Sequence, residues 1–328
     1  MNERMINLFT HTDLDGIGCS VLMHLYTAHT YNTSLSVAYC DYDNINKKVS
    51  DFIDLLVMSN KAGVAKPQHR DIIITDISLN EETAKKLDEY LMDHYFNTTV
   101  HLLDHHKTAE WMVKEYPWAY VNSHPEVCGT SLVYDKFFTP HLDALDEFVN
   151  AVCLYDTWRF DQDKLCLPKQ LNYLSQLYGY EDFVSYVISQ IEQIDSYGMR
   201  TRSPHFILSD ELWGITYGYD QRIQKYIDQR VLQSTIILVN DYYSVAVATA
   251  SKHFSQIGHK LIEKYPAEDF AMILDFENGK AHLRGGDNCP DLGAFAKKYG
   301  GGGHPKAASF PFLIEEQNIR DILFMRYE

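Results

Sequence analysis

The stretch HLLDHHKT, residues 101–108, places three titratable side chains directly after two leucines. Asp104, His105 and His106 each cost free energy when they lose contact with water, unless they are paired or bound to a ligand. Leu102 and Leu103 give the segment the apolar character of a buried strand. A buried strand that ends in such a triplet predicts a functional site at its carboxyl end.

Strand-like and helix-like stretches alternate on both sides of this segment. The strand-like stretches are INLFTHT, SLSVAYCD, DIIITDIS and TVHLLDHH, and helical composition covers residues 16–30, 46–59 and 81–95. Asn80 is expected to cap the third helix, and HPE at 124–126 offers a further helix start. Apolar strands that alternate with helices predict an α/β fold, with a parallel sheet flanked by helices on both faces.

Acids and histidines cluster where these strands end. They are His11, Asp13 and Asp15 after the first strand, Asp76 after the third, and Asp104, His105 and His106 after the fourth. Ligands of a parallel sheet bind outside the carboxyl ends of its strands, so these side chains are expected to meet at one edge. Asp156, in AVCLYDTWRFD, follows a later apolar stretch and is a further candidate.

This set of side chains suits divalent cations. Carboxylates and imidazoles without thiolates favour Mn²⁺, Mg²⁺ or Fe²⁺. There are enough ligands for two ions, and a carboxylate shared between them would hold the pair about 3.5–4 Å apart, as in two-metal phosphoester hydrolysis.

Simpler interpretations exist for each motif taken singly. Asp13 or Asp15 would cap a helix, and so would Asp76. Asp156 would form an ion pair with Arg159. Only the combination of motifs favours a metal centre.

The composition describes an ordered, acidic protein of 328 residues, with 45% hydrophobic and 23% charged residues. The net charge of −16, from 29 basic and 45 acidic residues, disfavours a grip on long nucleic acid, which relies on a basic stripe. We expect short anionic substrates and no long duplex. No apolar run reaches the roughly 20 residues of a membrane span, and MNERMINLFT lacks the pattern of a signal peptide, so a cytoplasmic protein without membrane contact is expected.

The six cysteines are scattered, without a C-x-x-C pair. In a cytoplasmic chain this favours reduced thiols that behave as small core residues, and it disfavours disulfides or a zinc site.

The chain is expected to have three parts. Residues 1–205 form the α/β domain, whose portion from 129 to 200 is largely helical. Residues 206–236 form a helical linker, and residues 237–328 form a smaller mixed α/β domain, with a cleft between the two domains. A homodimer remains an open expectation.

The second domain carries its own candidate site in YGGGGHPKAA. The candidate residues of this site, which include Arg284 from the preceding HLRGGD, offer backbone N–H groups or cationic side chains to an anion. They are Arg284, Gly301, Gly302, Gly303, His304 and Lys306. A flexible hairpin is the alternative for the glycines. For Arg284, the alternative is a surface ion pair with Asp287 or Asp291.

Five motifs in order resemble the DHH phosphoesterase superfamily. They are HTDLDG (11–16), TDIS (75–78), LDHHKT (103–108), LYDTWRF (154–160) and, in the second domain, GGGGHPKAASF (300–310). The last is similar to the glycine-rich motif of the DHH-associated substrate domain. Many members carry the first histidine four residues before the first aspartate, a position that Phe9 occupies here, so that His11 stands in for it.

The resemblance implies a role for each residue. One Mn²⁺ would be held by His11, Asp13 and Asp76, and the other by Asp15, Asp76, His105 and Asp156. Asp104 would orient a neighbouring imidazole, and His106 would contact the scissile phosphate and protonate the leaving oxygen.

The HTDLDG motif resembles that of the oligoribonuclease (nanoRNase) branch. It implies a Mn²⁺-dependent phosphodiesterase that degrades short RNA to nucleoside 5′-monophosphates, with Mg²⁺ or Fe²⁺ as alternative ions. Linear or cyclic dinucleotides and 3′-phosphoadenosine 5′-phosphate are alternative substrates. A nucleotide-binding regulatory module without catalysis is the alternative that is not an enzyme.

Overall fold

The structure of the protein is a computed structural model that describes residues 4–62, 69–94, 97–139, 143–161, 164–198, 208–239 and 242–312. The chain divides into two compact units, Met1–Tyr217 and Gly218–Glu328. The boundary falls within one long helix, Asp210–Leu232. The division into 1–205, 206–236 and 237–328, with a cleft, stays a prediction.

Five parallel strands form the sheet of the first unit. They are β1 (Arg4–His11), β2 (Thr33–Cys40), β3 (His69–Thr75), β4 (Thr98–Asp104) and β5 (Ala119–Val121). Their order is β2-β1-β3-β4-β5, which confirms the α/β prediction. From β1 the chain first adds β2 on one side and then adds β3, β4 and β5 on the other, so the strand order reverses between β1 and β3. Ligands of such sheets bind at this point.

The helices of the first unit connect and cover these strands. They are α1 (Leu14–Ala28), α2 (Ile45–Lys61), α3 (Glu81–His94), α4 (Glu110–Glu115), α5 (Gly129–Phe137), α6 (Asp143–Asp156), α7 (Leu167–Tyr178), α8 (Tyr180–Gly198) and the boundary helix α9 (Asp210–Leu232). Asn80 caps α3 as predicted, since its Oδ1 accepts from the Thr83 N–H at 2.9 Å. The helix start at 124–126 was wrong: the Val127 N–H bonds the His124 carbonyl in a turn, and α5 begins at Gly129.

Both faces of this sheet are buried. Along β3, Ile73 packs into the core beneath α1 and α5 to α8, whereas Ile72 and Ile74 pack into the core beneath α2, α3 and α4. All three side chains are fully buried. Successive strand residues point to opposite faces, so a continuous apolar run is what a sheet between two helical layers requires.

The second unit contains a mixed six-stranded sheet in the order β10-β11-β9-β8-β7-β6. Its strands are β6 (Thr235–Val239), β7 (Tyr243–Thr249), β8 (Phe270–Asp275), β9 (Lys280–Arg284), β10 (Gly302–His304) and β11 (Ala307–Pro311), and its helices are α10 (Phe254–Lys264) and α11 (Leu292–Lys297). Among the strand pairs that the structure describes in this unit, only β7–β8 is parallel. The smaller mixed α/β unit is thus confirmed, although α10 and β6 were not predicted.

The cysteine prediction was wrong for one pair. Cys128 and Cys153 form a disulfide, with their Cα atoms 5.3 Å apart. Cys128 caps α5 and Cys153 lies in α6, two helices that pack together. The 25-residue separation along the chain carries no signal of this contact, because only the tertiary packing brings the two residues together. Within the described residues, no helix has both the length and the apolar character that crossing a membrane requires.

Candidate two-metal site

Asp76 lies between two groups of side chains and faces each with a different oxygen. Its Oδ2 is 3.6 Å from His11 Nδ1, which in turn lies 2.9 Å from Asp13 Oδ2. Its Oδ1 is 3.2 Å from His105 Nε2, which lies 3.7 Å from Asp15 and 3.6 Å from Asp156. The structure therefore brings all six predicted metal-binding residues together. His11 and Asp13 lie on the side of one Asp76 oxygen, and His105, with Asp15 and Asp156 around it, lies on the side of the other.

The backbone at Asp76 has an uncommon conformation. Its φ of 58° lies in the left-handed region, which aspartate tolerates better than most residues other than glycine. The residue is 1% exposed, and its Oδ2 has no hydrogen-bond partner among the described residues. An orphaned buried carboxylate oxygen is costly unless a cation binds it.

Asp15 is held by the start of α5. Its carboxylate accepts hydrogen bonds from the backbone N–H groups of Gly129 and Thr130 at 2.6 and 2.8 Å. The Thr130 hydroxyl donates to the Asp15 carbonyl at 2.7 Å. Helix N-termini attract carboxylate side chains, so the start of α5 fixes the position of Asp15 beside His105.

Asp104 organises the DHH triplet. This fully buried side chain accepts hydrogen bonds at Oδ1 from the backbone N–H of His105 at 2.7 Å and from the Nδ1 of His106 at 2.8 Å. Burial alone would raise the pKa of Asp104, but the hydrogen bonds and charge of His106 hold it below its usual range. His106 therefore keeps a proton on Nδ1, and Nε2 is the nitrogen left for a substrate.

The carboxylates of the site repel one another. Burial, together with the charges of Asp15 and Asp13, raises the pKa of Asp76 well above its ordinary value. Burial and Asp15 raise the pKa of Asp156 to about 7. Burial lowers the pKa of His11, but Asp13 and Asp76 outweigh it and raise the value to about 11. Such a concentration of negative charge around one orphaned oxygen fits divalent cations.

Of the simpler interpretations of the single motifs, the helix cap at Asp13 is present and the ion pair of Asp156 is not. Asp13 does cap α1, because its Oδ1 accepts from the Gly16 N–H at 3.1 Å, and its Oδ2 remains on the His11 side. The Asp156–Arg159 pair is not formed, since Arg159 binds Glu126 at 2.8 Å.

The sequence reasoning missed two residues that follow β2. Asp41 Oδ1 lies 3.6 Å from His11 Nε2. The Tyr42 hydroxyl lies 3.2 Å from His106 Nε2, and its ring is 5.2 Å from that of His11. The rule of strand carboxyl ends, applied to the run CDYDN after β2, would have found both. The 23 tyrosines of the sequence gave no other reason to select Tyr42.

The candidate residues of the second unit are neighbours in its sheet. Arg284 in β9 lies opposite Ala307 in β11, which pairs with His304 in β10. Arg284 donates to the Ser255 hydroxyl and to the Leu283 carbonyl, so its proposed pairing with an acid is not seen.

The remaining members of this group also have local contacts. Lys306 binds Asp287 at 2.7 Å in an exposed ion pair. A Cβ on Gly301 would come 2.1 Å from the Ser309 carbonyl oxygen, and Gly303 has a φ of 139°. The hairpin of β10 and β11 thus requires glycine at positions 301 and 303. Gly302, between them, pairs with Ser309. Ligand binding by the six candidate residues of the second unit stays a prediction.

No family model matches the chain, but two curated proteins resemble most of it. Oligoribonuclease NrnB of Bacillus subtilis is 27% identical over 312 residues, covering 93% of this chain and 72% of the relative. An uncharacterized protein R106 of Acanthamoeba polyphaga mimivirus is 22% identical over 309 residues, with coverage of 89% and 67%.

Solved structures share the fold. The DHH domain of a member of the S1p family of ribosomal proteins has a TM-score of 0.64 at 15% identity, with 98% of this chain and 85% of that chain covered. RecJ from Thermus thermophilus, solved in complex with Mn²⁺, has a TM-score of 0.51 at 11% identity, with coverage of 100% and 53%. The chain is thus similar in fold to DHH-domain proteins and similar in sequence to an oligoribonuclease, and its motifs resemble those of the DHH phosphoesterase superfamily.

Proposed function

We propose that this protein is a two-metal phosphodiesterase that hydrolyses short oligoribonucleotides to nucleoside 5′-monophosphates. The observation that carries the proposal is the position of Asp76, whose two carboxylate oxygens face two separate groups of metal-binding side chains. The likeness to oligoribonuclease NrnB supports the choice of substrate. The net charge of −16 agrees with short substrates over polymers.

Six residues would hold the ions, for which we propose Mn²⁺, with Mg²⁺ or Fe²⁺ as alternatives. They are His11, Asp13, Asp15, Asp76, His105 and Asp156. Bound there, the cations would activate water as a nucleophile and neutralise the charge of the phosphate.

The DHH triplet would handle the proton of the leaving group. Asp104 fixes the Nδ1 proton of His106 and thereby leaves Nε2 to face the substrate. From Nε2, His106 would donate a proton to the leaving oxygen as the bond to phosphorus breaks. Anion binding by the candidate donors of the second unit, from Arg284 to Lys306, is a separate part of the proposal.

A substrate panel tests this function. It contains RNA of two to ten nucleotides, linear and cyclic dinucleotides, 3′-phosphoadenosine 5′-phosphate and pyrophosphate, each with Mn²⁺ and with EDTA. We expect nucleoside 5′-monophosphates from the shortest RNAs with Mn²⁺ and no product with EDTA. Faster cleavage of a dinucleotide or of the 3′-phosphate would select one of the alternative substrates.

A negative result across the panel would overturn the enzyme proposal. Metal analysis must first show two ions per chain, so that a lack of turnover is not a lack of cofactor. Nucleotide binding without turnover would then favour the regulatory module. The predicted cytoplasmic location and homodimer are not addressed by this experiment and stay predictions.

A further inference from the structure

Tyr42 is the residue nearest to the substrate-facing nitrogen of His106 among the contacts of the described residues. Its hydroxyl oxygen lies 3.2 Å from His106 Nε2, and the two rings meet edge to face, with centroids 6.2 Å apart. Tyr42 comes from the turn after β2, whereas His106 follows β4. Two strand ends on opposite sides of β1 and β3 thus meet at this hydrogen bond.

The two nitrogens of His106 have different partners. Asp104 accepts from Nδ1, so in the neutral imidazole Nε2 is an acceptor and the Tyr42 hydroxyl is its donor. In the imidazolium form Nε2 becomes a donor, and the Tyr42 oxygen can accept from it. The contact is therefore compatible with both protonation states of the ring.

The position of Tyr42 also relates it to the metal side of the site. Its ring is 5.2 Å from the His11 ring, so the phenol spans the distance between a predicted metal ligand and the predicted proton donor. The residue is 56% exposed, and no element of the described part of the first unit buries it. A substrate that enters the site can therefore reach the space that the phenol borders.

A leaving oxygen must accept its proton from Nε2, which the Tyr42 hydroxyl contacts. We propose that Tyr42 is a positioning residue: its hydroxyl borders the place of the leaving-group oxygen and keeps His106 turned towards it. The inference rests on the proposed phosphodiester hydrolysis. When substrate binds, the leaving oxygen would lie beside the Tyr42 hydroxyl, which keeps its contact with Nε2. The oxygen of the attacking water bonds to phosphorus, the bond from phosphorus to the leaving oxygen breaks, and the proton passes from Nε2 to the leaving oxygen.

Tyr42→Phe removes the hydroxyl and keeps the ring. With an RNA dinucleotide we expect kcat to fall about tenfold, the size expected for one hydrogen bond to a charged group. A nucleotide p-nitrophenyl ester has a leaving group that needs no proton, so we expect its kcat to change less than about twofold. The matched control Tyr120→Phe removes an exposed hydroxyl from β5 and should leave both rates unchanged.

The pattern of rates decides between positioning and other roles. Equal losses on both substrates would overturn the proposal, because they would indicate general damage to the site. An unchanged or higher rate on the dinucleotide would also overturn it, since the hydroxyl would then be dispensable or obstructive.

A double-variant cycle tests whether Tyr42 acts through His106. In a His106→Ala background we expect Tyr42→Phe to cost less than about twofold on the dinucleotide, because coupled residues are not additive. If the two losses multiply, Tyr42 acts independently of His106 and the proposal fails.

A measurement without turnover separates this inference from the proposed function. The ¹⁵N chemical shift of His106 Nε2 should change on Tyr42→Phe and stay constant on Tyr120→Phe. If the shift changes but the wild-type protein cleaves no substrate, only the proposed function fails. If the wild-type protein cleaves the dinucleotide and Tyr42→Phe leaves both the shift and the rate unchanged, only the role of Tyr42 fails.

Discussion

Gly129 lies directly against Asp76: a Cβ on Gly129 would stand 2.7 Å from the Cβ of Asp76 and 3.1 Å from Asp15 Oδ2. The same glycine donates its N–H to Asp15. The start of α5 therefore limits how close the two carboxylates can come to the helix and sets their separation.

Replacing this glycine should damage the site while the fold remains. In Gly129→Ala the new methyl group must displace Asp76 or Asp15, so we expect metal affinity to fall by about 10- to 100-fold, as for other changes to residues that support a metal site. Isothermal titration calorimetry with Mn²⁺ measures the metal affinity of each variant. Gly214→Ala is the matched control, because nothing lies within 4 Å of the added Cβ, and it should stabilise α9 by about 1 kcal/mol. Equal Mn²⁺ affinity in both variants would contradict the prediction.

Asp76→Asn should remove both ions, because each group uses one oxygen of this carboxylate. Asparagine tolerates the left-handed backbone of this position, so the variant tests charge without added strain. We expect fewer than one Mn²⁺ per chain by elemental analysis and a fall in turnover of more than about 100-fold. Asp71→Asn changes another buried carboxylate, which lies in β3 and pairs with Arg4 outside the site, and this variant should keep two ions. Two ions retained in Asp76→Asn would show that the shared-ligand assignment is wrong.

The Cys128–Cys153 bridge should contribute to stability. Closing a loop of 25 residues restricts the unfolded chain and stabilises the fold by about 3 kcal/mol in the chain-entropy model. We expect reduction to lower the Tm of the wild-type protein, and Cys153→Ser to be equally destabilised without reductant. Thiol titration of the unfolded, unreduced protein should find the four free cysteines. A count of six would exclude the bridge, and Cys166→Ser serves as a control for the loss of a free thiol.

The lowered pKa of His101 predicts how the stability of the protein depends on pH. Burial, assisted by the charge of Lys136, lowers the pKa of His101 to about 4, below the unfolded value of about 6.5. As the pH falls, the imidazole of His101 is protonated in the unfolded chain at a higher pH than in the folded protein. The contribution of the neutral, buried His101 to stability is therefore complete above about pH 6.5 and is lost as the pH falls towards 4. We expect the Tm of the wild-type protein to drop more between pH 7 and pH 5 than that of His101→Gln. Parallel Tm profiles would contradict the assignment.

The sequence predicted the fold of the first unit well because its signals are local. Apolar runs such as 72–74 indicate buried strands, and the acids and histidines that follow them are fixed to one edge by the parallel topology. Asp76 could be recognised as a candidate ligand from its place at a strand end. Its left-handed backbone and the division of its two oxygens could not, since both depend on the packing of α5.

Other features depend on contacts between distant segments and left little trace in the sequence. The disulfide joins two helices whose cysteines have no characteristic spacing. Only its place after β2 distinguishes Tyr42 from the other tyrosines, and its contact with His106 is visible only in the fold. The strand β5 has three residues and is too short to show a periodic pattern. Helix α10 does show one, because Phe254, Ile257 and Leu261 follow helical spacing, and the prediction left this signal unused.

The dispersal of the site along the chain has a consequence for biosynthesis. Asp156 leaves the ribosome only after His11 and all five strands of the first sheet have been made. Parallel sheets with distant partners fold slowly, and the second cation has an incomplete set of ligands until α6 packs. A nascent chain is therefore expected to emerge as an inert polypeptide, and hydrolytic capacity would arise in one step, when the last helix of the centre docks.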